Sequence, residues 1–229
     1  FVVGQQYSRN IPMTDNNGDT GSYMVTMEDG YIILTTNIYN DTSTTYRVGL
    51  LKTDKNGNKI WDLIVNEQFD EDIELHVNGP KNMVLLNDTI FVAVEAYPPN
   101  EEKFLRLMAF DLNGSLLYKR DLHISHTNNA LYARGLISSG DSLILYGEIN
   151  DDISSDIYVK VLDDQLNVLE THIVSNSSRN KRFMELSHRS DGGYVLACAV
   201  GSVSYTNILF FLLDESFQGR GFDTGDGHV

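Results

Sequence analysis

Residues 29–61 read DGYIILTTNIYNDTSTTYRVGLLKTDKNGNKIW, and this stretch decides the fold. A turn dipeptide, Asp29-Gly30, opens into an apolar strand. A polar loop follows, and a second apolar strand closes on Asp54 and a tight turn to Gly57. The same order returns three times. The closing strands read GLLKTD, RLMAFD, VKVLD and FFLLD, ending at Asp54, Asp111, Asp163 and Asp214, with separations of 57, 52 and 51 residues. A period near fifty belongs to repeat architectures, in which no single unit buries its faces alone.

Each unit carries up to four strand signals. The first unit has SYMVTMED, YIILTTNI, TYRVGLLKTD and KIWDLIV; the second has KNMVLLN, TIFVAVEAY, KFLRLMAFD and SLLYKRDL. The third has LYARGLISS, SLILYGEI, IYVKVLD and NVLETHIV, and the fourth has RFMELSHRS, GYVLACAV and NILFFLLD. Val, Ile, Leu, Tyr and Thr dominate these runs, as strands require. The second and third runs of each unit are almost continuously apolar, the pattern of strands covered on both faces. No stretch has the three-to-four spacing of an amphipathic helix.

Repeated four-stranded antiparallel units predict an all-β fold, a β-propeller with four blades in this chain, the first strand of each lining the channel and the fourth forming the rim. The expected blades are residues 20–65, 72–123, 129–174 and 181–214. Six residues beyond the closing Asp stand Ile60, Leu117 and Leu169 in the first three units but Arg220 in the fourth, so no outer strand is expected in the tail SFQGRGFDTGDGHV. Residues 1–11 read as an outer strand with no unit before them. Either they complete the fourth blade and close a four-bladed ring, or the blades belong to a larger ring; the usual length of such arrays favours the latter.

The connections are turn chemistry. Asp54–Gly57, Asp111–Gly114 and Asp163–Leu166 begin with an Asp whose side chain bonds the amides that follow, and Gly or Asn accepts positive φ. Asp29-Gly30, Asn87-Asp88, Gly140-Asp141 and Asp191-Gly192-Gly193 are hairpin signals. The repeated aspartates are therefore turn formers, although they occupy matched positions as a catalytic set would.

Asp191-Gly192-Gly193-Tyr194-Val195-Leu196-Ala197 and the run Asp54, Gly57, Asn58, Ile60, Trp61 resemble the opening and the ending of a repeat found in secreted propellers of Bacteroidota. The resemblance covers nearly the whole chain. It implies a propeller at the cell surface or outside the cell and carries no catalytic residues, because its motifs are structural turns. The second unit departs from it at Leu116-Leu117-Tyr118, and the third keeps only Asp163, Asn167 and the apolar pair. Repeated Gly-His…Trp-Asp pairs are missing, and the nearest approach to a sialidase Asp box, at Ser190-Asp191-Gly192-Gly193, breaks immediately.

Composition narrows the function. The 229 residues carry a formal charge of −15, with 17 basic residues scattered along the chain. Nucleic acid is excluded as a partner, since phosphate binding needs clustered Lys and Arg. No run of about 18 apolar residues exists to insert into a membrane, and FVVGQQYSRN lacks a secretory leader pattern, as a processed protein and a chain fragment both would. The acidity serves solubility; the sharper alternative is cation binding. The single cysteine, Cys198, sits in GYVLACAV as a small core hydrophobe.

Candidate ligand-binding residues come from the variable loops between second and third strands, residues 37–45, 97–103, 150–156 and 201–206. These offer Tyr39, Tyr97, Asp151, Asp152 and Tyr205, rings and carboxylates suited to a glycan, a peptide or a protein. No cofactor is expected. Asp15, Asn17 and Asp19 alternate as Ca²⁺ ligands do, but Thr20 and Thr26 stand where such a loop needs Gly and Glu. The six histidines have no metal-ligand spacing. With no catalytic constellation legible, the expected function is a non-catalytic binding scaffold; the alternatives are a carbohydrate-active propeller using channel-facing acids and a purely structural blade array.

Overall fold

The computed structural model describes residues 20–36, 47–69, 73–99, 101–123, 130–150, 155–173, 181–202 and 205–220. Their backbone forms four antiparallel sheets. The first contains β1 (Thr20–Thr26), β2 (Gly30–Thr36), β3 (Val48–Asp54) and β4 (Lys59–Ile64), followed by a single 3₁₀ turn at Val65–Gln68. In the second, two short strands, β5 (Glu74–His76) and β6 (Met83–Leu86), share the inner edge of β7 (Thr89–Tyr97), which pairs with β8 (Phe104–Phe110) and then β9 (Leu116–Leu122). The third contains β10 (Ala130–Ser139), β11 (Ser142–Asn150), β12 (Ser155–Leu162) and β13 (Val168–Ile173). The fourth contains β14 (Lys181–His188), β15 (Tyr194–Ser202), β16 (Tyr205–Leu213) and β17 (Gly219–Arg220).

The inner strands adjoin in chain order: β1 packs on β6, β6 on β10, and β10 on β14. This is a four-blade β-propeller. Residues 1–11 lie outside the described residues. Lys81 reaches past β10 to Glu185 of β14, with Nζ 2.5 Å from Oε1, tying the second blade directly to the fourth.

The core lies between sheets, because side chains alternate across each strand. Ile90, Val92, Val94 and Ala96 of β7 meet Leu34 and Leu50 of the first blade. Phe91 and Ala93 point the other way, to Leu143 and Leu145 of the third. Ile144 and Tyr146 then meet Leu186, Leu196 and Cys198 of the fourth. Each Val, Leu, Ile or Phe side chain among them contributes about 1.5–3 kcal/mol by leaving water. At the rim, neighbouring blades are latched by polar tips: Trp61 Nε1 donates to the Leu112 carbonyl at 3.1 Å, and the Tyr118 hydroxyl donates to the Asp164 carbonyl.

One turn closes all four outer hairpins. Asp54 Oδ1 accepts from the amides of Asn56 and Asn58 at 2.8 and 2.7 Å. Asp111, Asp163 and Asp214 repeat this with the residues two and four ahead. The fourth turn residue has positive φ: 75° at Gly57 and 85° at Gly114, but also 62° at Leu166 and 58° at Phe217. Leu166 and Phe217 tolerate it because their side chains are buried between blades. The same turn at Asp214 explains β17, a strand the sequence does not announce. Arg220 pairs with Leu212 and Gly219 with Leu213 through backbone bonds alone, so the fourth blade has its own short outer strand without an apolar side chain at that position.

Leu166→Gly relieves a left-handed strain of about 1–2 kcal/mol but loses a buried side chain whose removal costs about 2–5 kcal/mol. We expect a net destabilisation, read as a lower denaturant midpoint. Hydrogen bonds from the Asn167 side chain and from backbone amides hold the Asp163 carboxyl below its usual range, as amides, the Ser115 amide foremost, do for Asp111. A depressed folded value contributes stability that is present above the unfolded pKa of about 3.9 and is lost as pH falls through the folded one. The stability difference between the wild type and Asp163→Ala is therefore flat near neutral pH and shrinks below about pH 4.

Candidate functional site

A strand covered on both faces has no room for an unpaired charge. Two acidic side chains nevertheless stand in such strands, Glu95 in β7 and Glu148 in β11, each 1% exposed. They occupy one register position. Glu95 pairs with Leu105, six residues before Asp111, and Glu148 with Ile157, six before Asp163. Thr36 and Ala199 hold that position in the other two blades.

An irregular inner strand supplies their partners. Between β5 and β6, residues 77–82 lie against β10: Lys81 bridges Gly135, and the Leu136 amide donates to the Lys81 carbonyl at 2.7 Å, while the Asn82 carbonyl still accepts from the Ala93 amide of β7 at 2.9 Å. Opposite them, β10 has a register shift between Ala133 and Gly135 that re-aims Arg134. Gly79 makes the approach possible, since a Cβ there would lie 2.1 Å from the Arg134 carbonyl oxygen and 2.2 Å from Asn82 Oδ1.

Asn78 and Arg134 join the two carboxyl groups. Asn78 Nδ2 donates to Glu95 Oε2 at 2.6 Å, and the Tyr97 hydroxyl donates to the same oxygen at 2.7 Å. Arg134 Nη1 donates to the Asn78 carbonyl at 2.9 Å, while its Nε lies 3.1 Å from Glu148 Oε1. Lys103 Nζ donates to the Tyr132 hydroxyl at 2.8 Å and stands 4.0 Å from the centroid of that ring and 5.6 Å from that of Tyr97. Beneath them the buried Tyr158 hydroxyl donates to the Tyr132 carbonyl at 3.0 Å.

Desolvation pushes the Glu95 carboxyl above its ordinary range and outweighs the lowering by Tyr97, Asn78, Arg134 and Lys103. Oε2 accepts both hydrogen bonds, and the buried Oε1 has no partner among the described residues. Oε1 is thus the oxygen left for a proton. Burial and the neighbouring Glu95 likewise push the Tyr97 hydroxyl up. The arrangement can hold a neutral carboxylic acid beside an ion-paired carboxylate, which suits general acid chemistry.

A cleft of about 410 Å³ flanks the other face of the same blade, lined by Pro98, Phe104, Arg106, Asp121 and His123 among others. Its Arg106 pairs two-pronged with Asp121, both bonds 2.8 Å, and the guanidinium lies 4.7 Å over Phe69. That pair serves packing.

Of the residues nominated from sequence, Tyr97 belongs to the site, as the last residue of β7 rather than a loop residue. Tyr205 is the first residue of β16. Tyr39, Asp151, Asp152, Asp15, Asn17 and Asp19 lie outside the described residues. Among the described residues no three His, Cys, Asp or Glu side chains gather to hold a metal ion, and no helix is long and apolar enough to cross a membrane. Glu95 and Glu148 went unnominated, yet a signal existed: a Glu within the apolar runs TIFVAVEAY and SLILYGEI, at one repeat position.

No protein-family model and no curated protein matches the chain. Among solved structures it is similar to the α-L-arabinanase of Penicillium chrysogenum complexed with arabinobiose, with a TM-score of 0.56 and 14% identity over 86% of this chain. The chain spans 65% of the length of that arabinanase chain. A subtype N10 neuraminidase-like protein of A/little yellow-shouldered bat/Guatemala is matched with a TM-score of 0.47 and 12% identity, over 82% of this chain and 69% of the other. At such identity the likeness to the arabinanase concerns the propeller fold. The expectation of a non-catalytic scaffold is nonetheless corrected. It rested on the lack of a catalytic constellation, whereas a buried Glu95, its carboxyl pushed above the ordinary range, shares one hydrogen-bonded network with the Arg134–Glu148 pair, and a solved structure of similar fold is an arabinanase.

Gly79→Ala tests the framework. The added methyl drives residues 77–82 off β10, and a destabilisation of about 1–3 kcal/mol is expected. With the Asn78 donor withdrawn, the Glu95 carboxyl, followed by carbon-detected NMR, titrates at still higher pH than in the wild type.

Proposed function

We propose that the chain is a carbohydrate-active propeller that hydrolyses glycosidic bonds, with Glu95 as the general acid. The observation that carries this reading is the Glu95 carboxyl, desolvated toward its neutral form while Glu148 beside it is ion-paired to Arg134. Glycoside hydrolysis needs such an unequal pair, one group holding a proton and the other a charge. Glu95 gives its proton to the leaving oxygen as the bond to the anomeric carbon breaks. Glu148 supplies negative charge to the positive sugar ring, and water then bonds to the anomeric carbon and gives a proton to the Glu95 carboxylate, which restores the acid. Tyr97, Tyr132 and Lys103, each partly exposed, offer rings and donors to the sugar. The solved arabinanase of similar fold, bound to arabinobiose, supports a carbohydrate as the substrate. The likeness of the turns to secreted repeats supports action at the cell surface or outside the cell.

A panel of glycans assayed for reducing ends tests the reading. Glu95→Gln should lower turnover by about 10²–10⁴-fold without changing the far-ultraviolet spectrum. Because the acid must be protonated, activity persists above the ordinary glutamate range and declines as pH rises through the raised value of Glu95. A wild type inert across the panel, or a Glu95→Gln variant as active as the wild type, overturns it.

A further inference from the structure

On the basis of that reading, we infer that the substrate is anionic: a glycan bearing carboxylate groups, such as a chain of uronic acids, whose charge is received by Lys103. The chain carries a formal charge of −15, so a cationic locus on it is exceptional. Most basic side chains with described contacts are spent on nearby acids, as in Arg47–Glu67, Lys52–Asp29, Lys59–Asp62 and Arg189–Asp191. Arg134 is spent on Glu148. Lys103, like Lys160 beside Thr171, is spent on no acid among the described residues, and of the two it is Lys103 that stands at the Glu95 site. One of its three N–H donors goes to the Tyr132 hydroxyl, and among the described residues no carboxylate lies within ion-pair distance of it.

The ammonium is held in place rather than left on a free stem. It lies against the Tyr132 ring, with Tyr97 beside it, at the start of β8 where the strand leaves the loop that follows β7. Two tyrosine faces stabilise the charge without neutralising it. Arg134 and Glu148 balance one another, and the Lys103 charge has no ion-pair partner among the described residues. A partly desolvated cation with two donors to spare forms charge-assisted bonds to a carboxylate, and in an acidic protein it marks where an anion is admitted. A neutral sugar would leave it without a counter-ion.

The test is calorimetric titration with trigalacturonate, its fully methyl-esterified form and the neutral trimer maltotriose. Glu95→Gln is used to suppress turnover. Trigalacturonate is expected to bind, more weakly as salt is raised, with the ester and maltotriose at least tenfold weaker. Lys103→Met, which keeps the stem, should weaken trigalacturonate at least tenfold at unchanged melting temperature, and Lys103→Arg should restore part of the loss. A sulfated trisaccharide that binds while trigalacturonate does not overturns the carboxylate assignment. Equal binding of acid and ester, an unaffected Lys103→Met variant, or no binding of any trimer overturns the inference. Hydrolysis of neutral glycans that Lys103→Met leaves intact overturns it while Glu95 keeps its role. Binding of trigalacturonate with no turnover of any glycan by the wild type upholds it and overturns the glycosidase reading instead.

Discussion

Everything at the centre of this structure depends on the second and third sheets being covered on both faces. The second blade shows it most fully: successive residues of β7 go alternately to the first and third blades, and Ile90 through Ala96 are all buried. Water is excluded from both sides of such a strand, so each position must be apolar or its polar atoms must find partners inside the protein. The same constraint produces the apolar runs, the dependence of each blade on its neighbour, and the high cost of a carboxyl group at position 95.

Register is held at the rim by the aspartate turn. It works through side-chain oxygen and backbone amides, and so it tolerates changes in the residues around it. Gly57 and Gly114 take the left-handed position without cost, while Leu166 and Phe217 take it because the burial of their side chains offsets the strain. That is also why β17 forms after Asp214 in a segment that looks unlike the other outer strands. The strand needs a closed turn and backbone ladder bonds, and Gly219 and Arg220 provide those as well as any apolar pair.

The site was partly legible. A charged residue within a doubly covered strand is an anomaly visible in the letters of TIFVAVEAY and SLILYGEI, and the repeat aligns the two. Variation between the copies points to the loops as ligand sites and away from these strand positions. Tyr97 was found through its aromatic ring beside a loop, yet its part is a hydroxyl bond to Glu95 from a strand end. Asn78, Arg134 and Lys103 gave no signal. Asn78 stands in a stretch that interrupts an inner strand, Arg134 at a bulge, and Lys103 in an ordinary polar loop. Each acquires a role only from a residue in another strand or another blade.

By itself the sequence determined the class of the fold, the number of blades and their turns, because these depend on local chemistry: period-two burial, repetition, and an Asp closing its own hairpin. Only the tertiary structure decided where chemistry can occur. The packing of residues 77–82 on β10, the Arg134 link to Glu148 and the desolvation of Glu95 arise between segments up to 70 residues apart. A group's proton affinity is set by what surrounds it in space, and the chain order does not contain that.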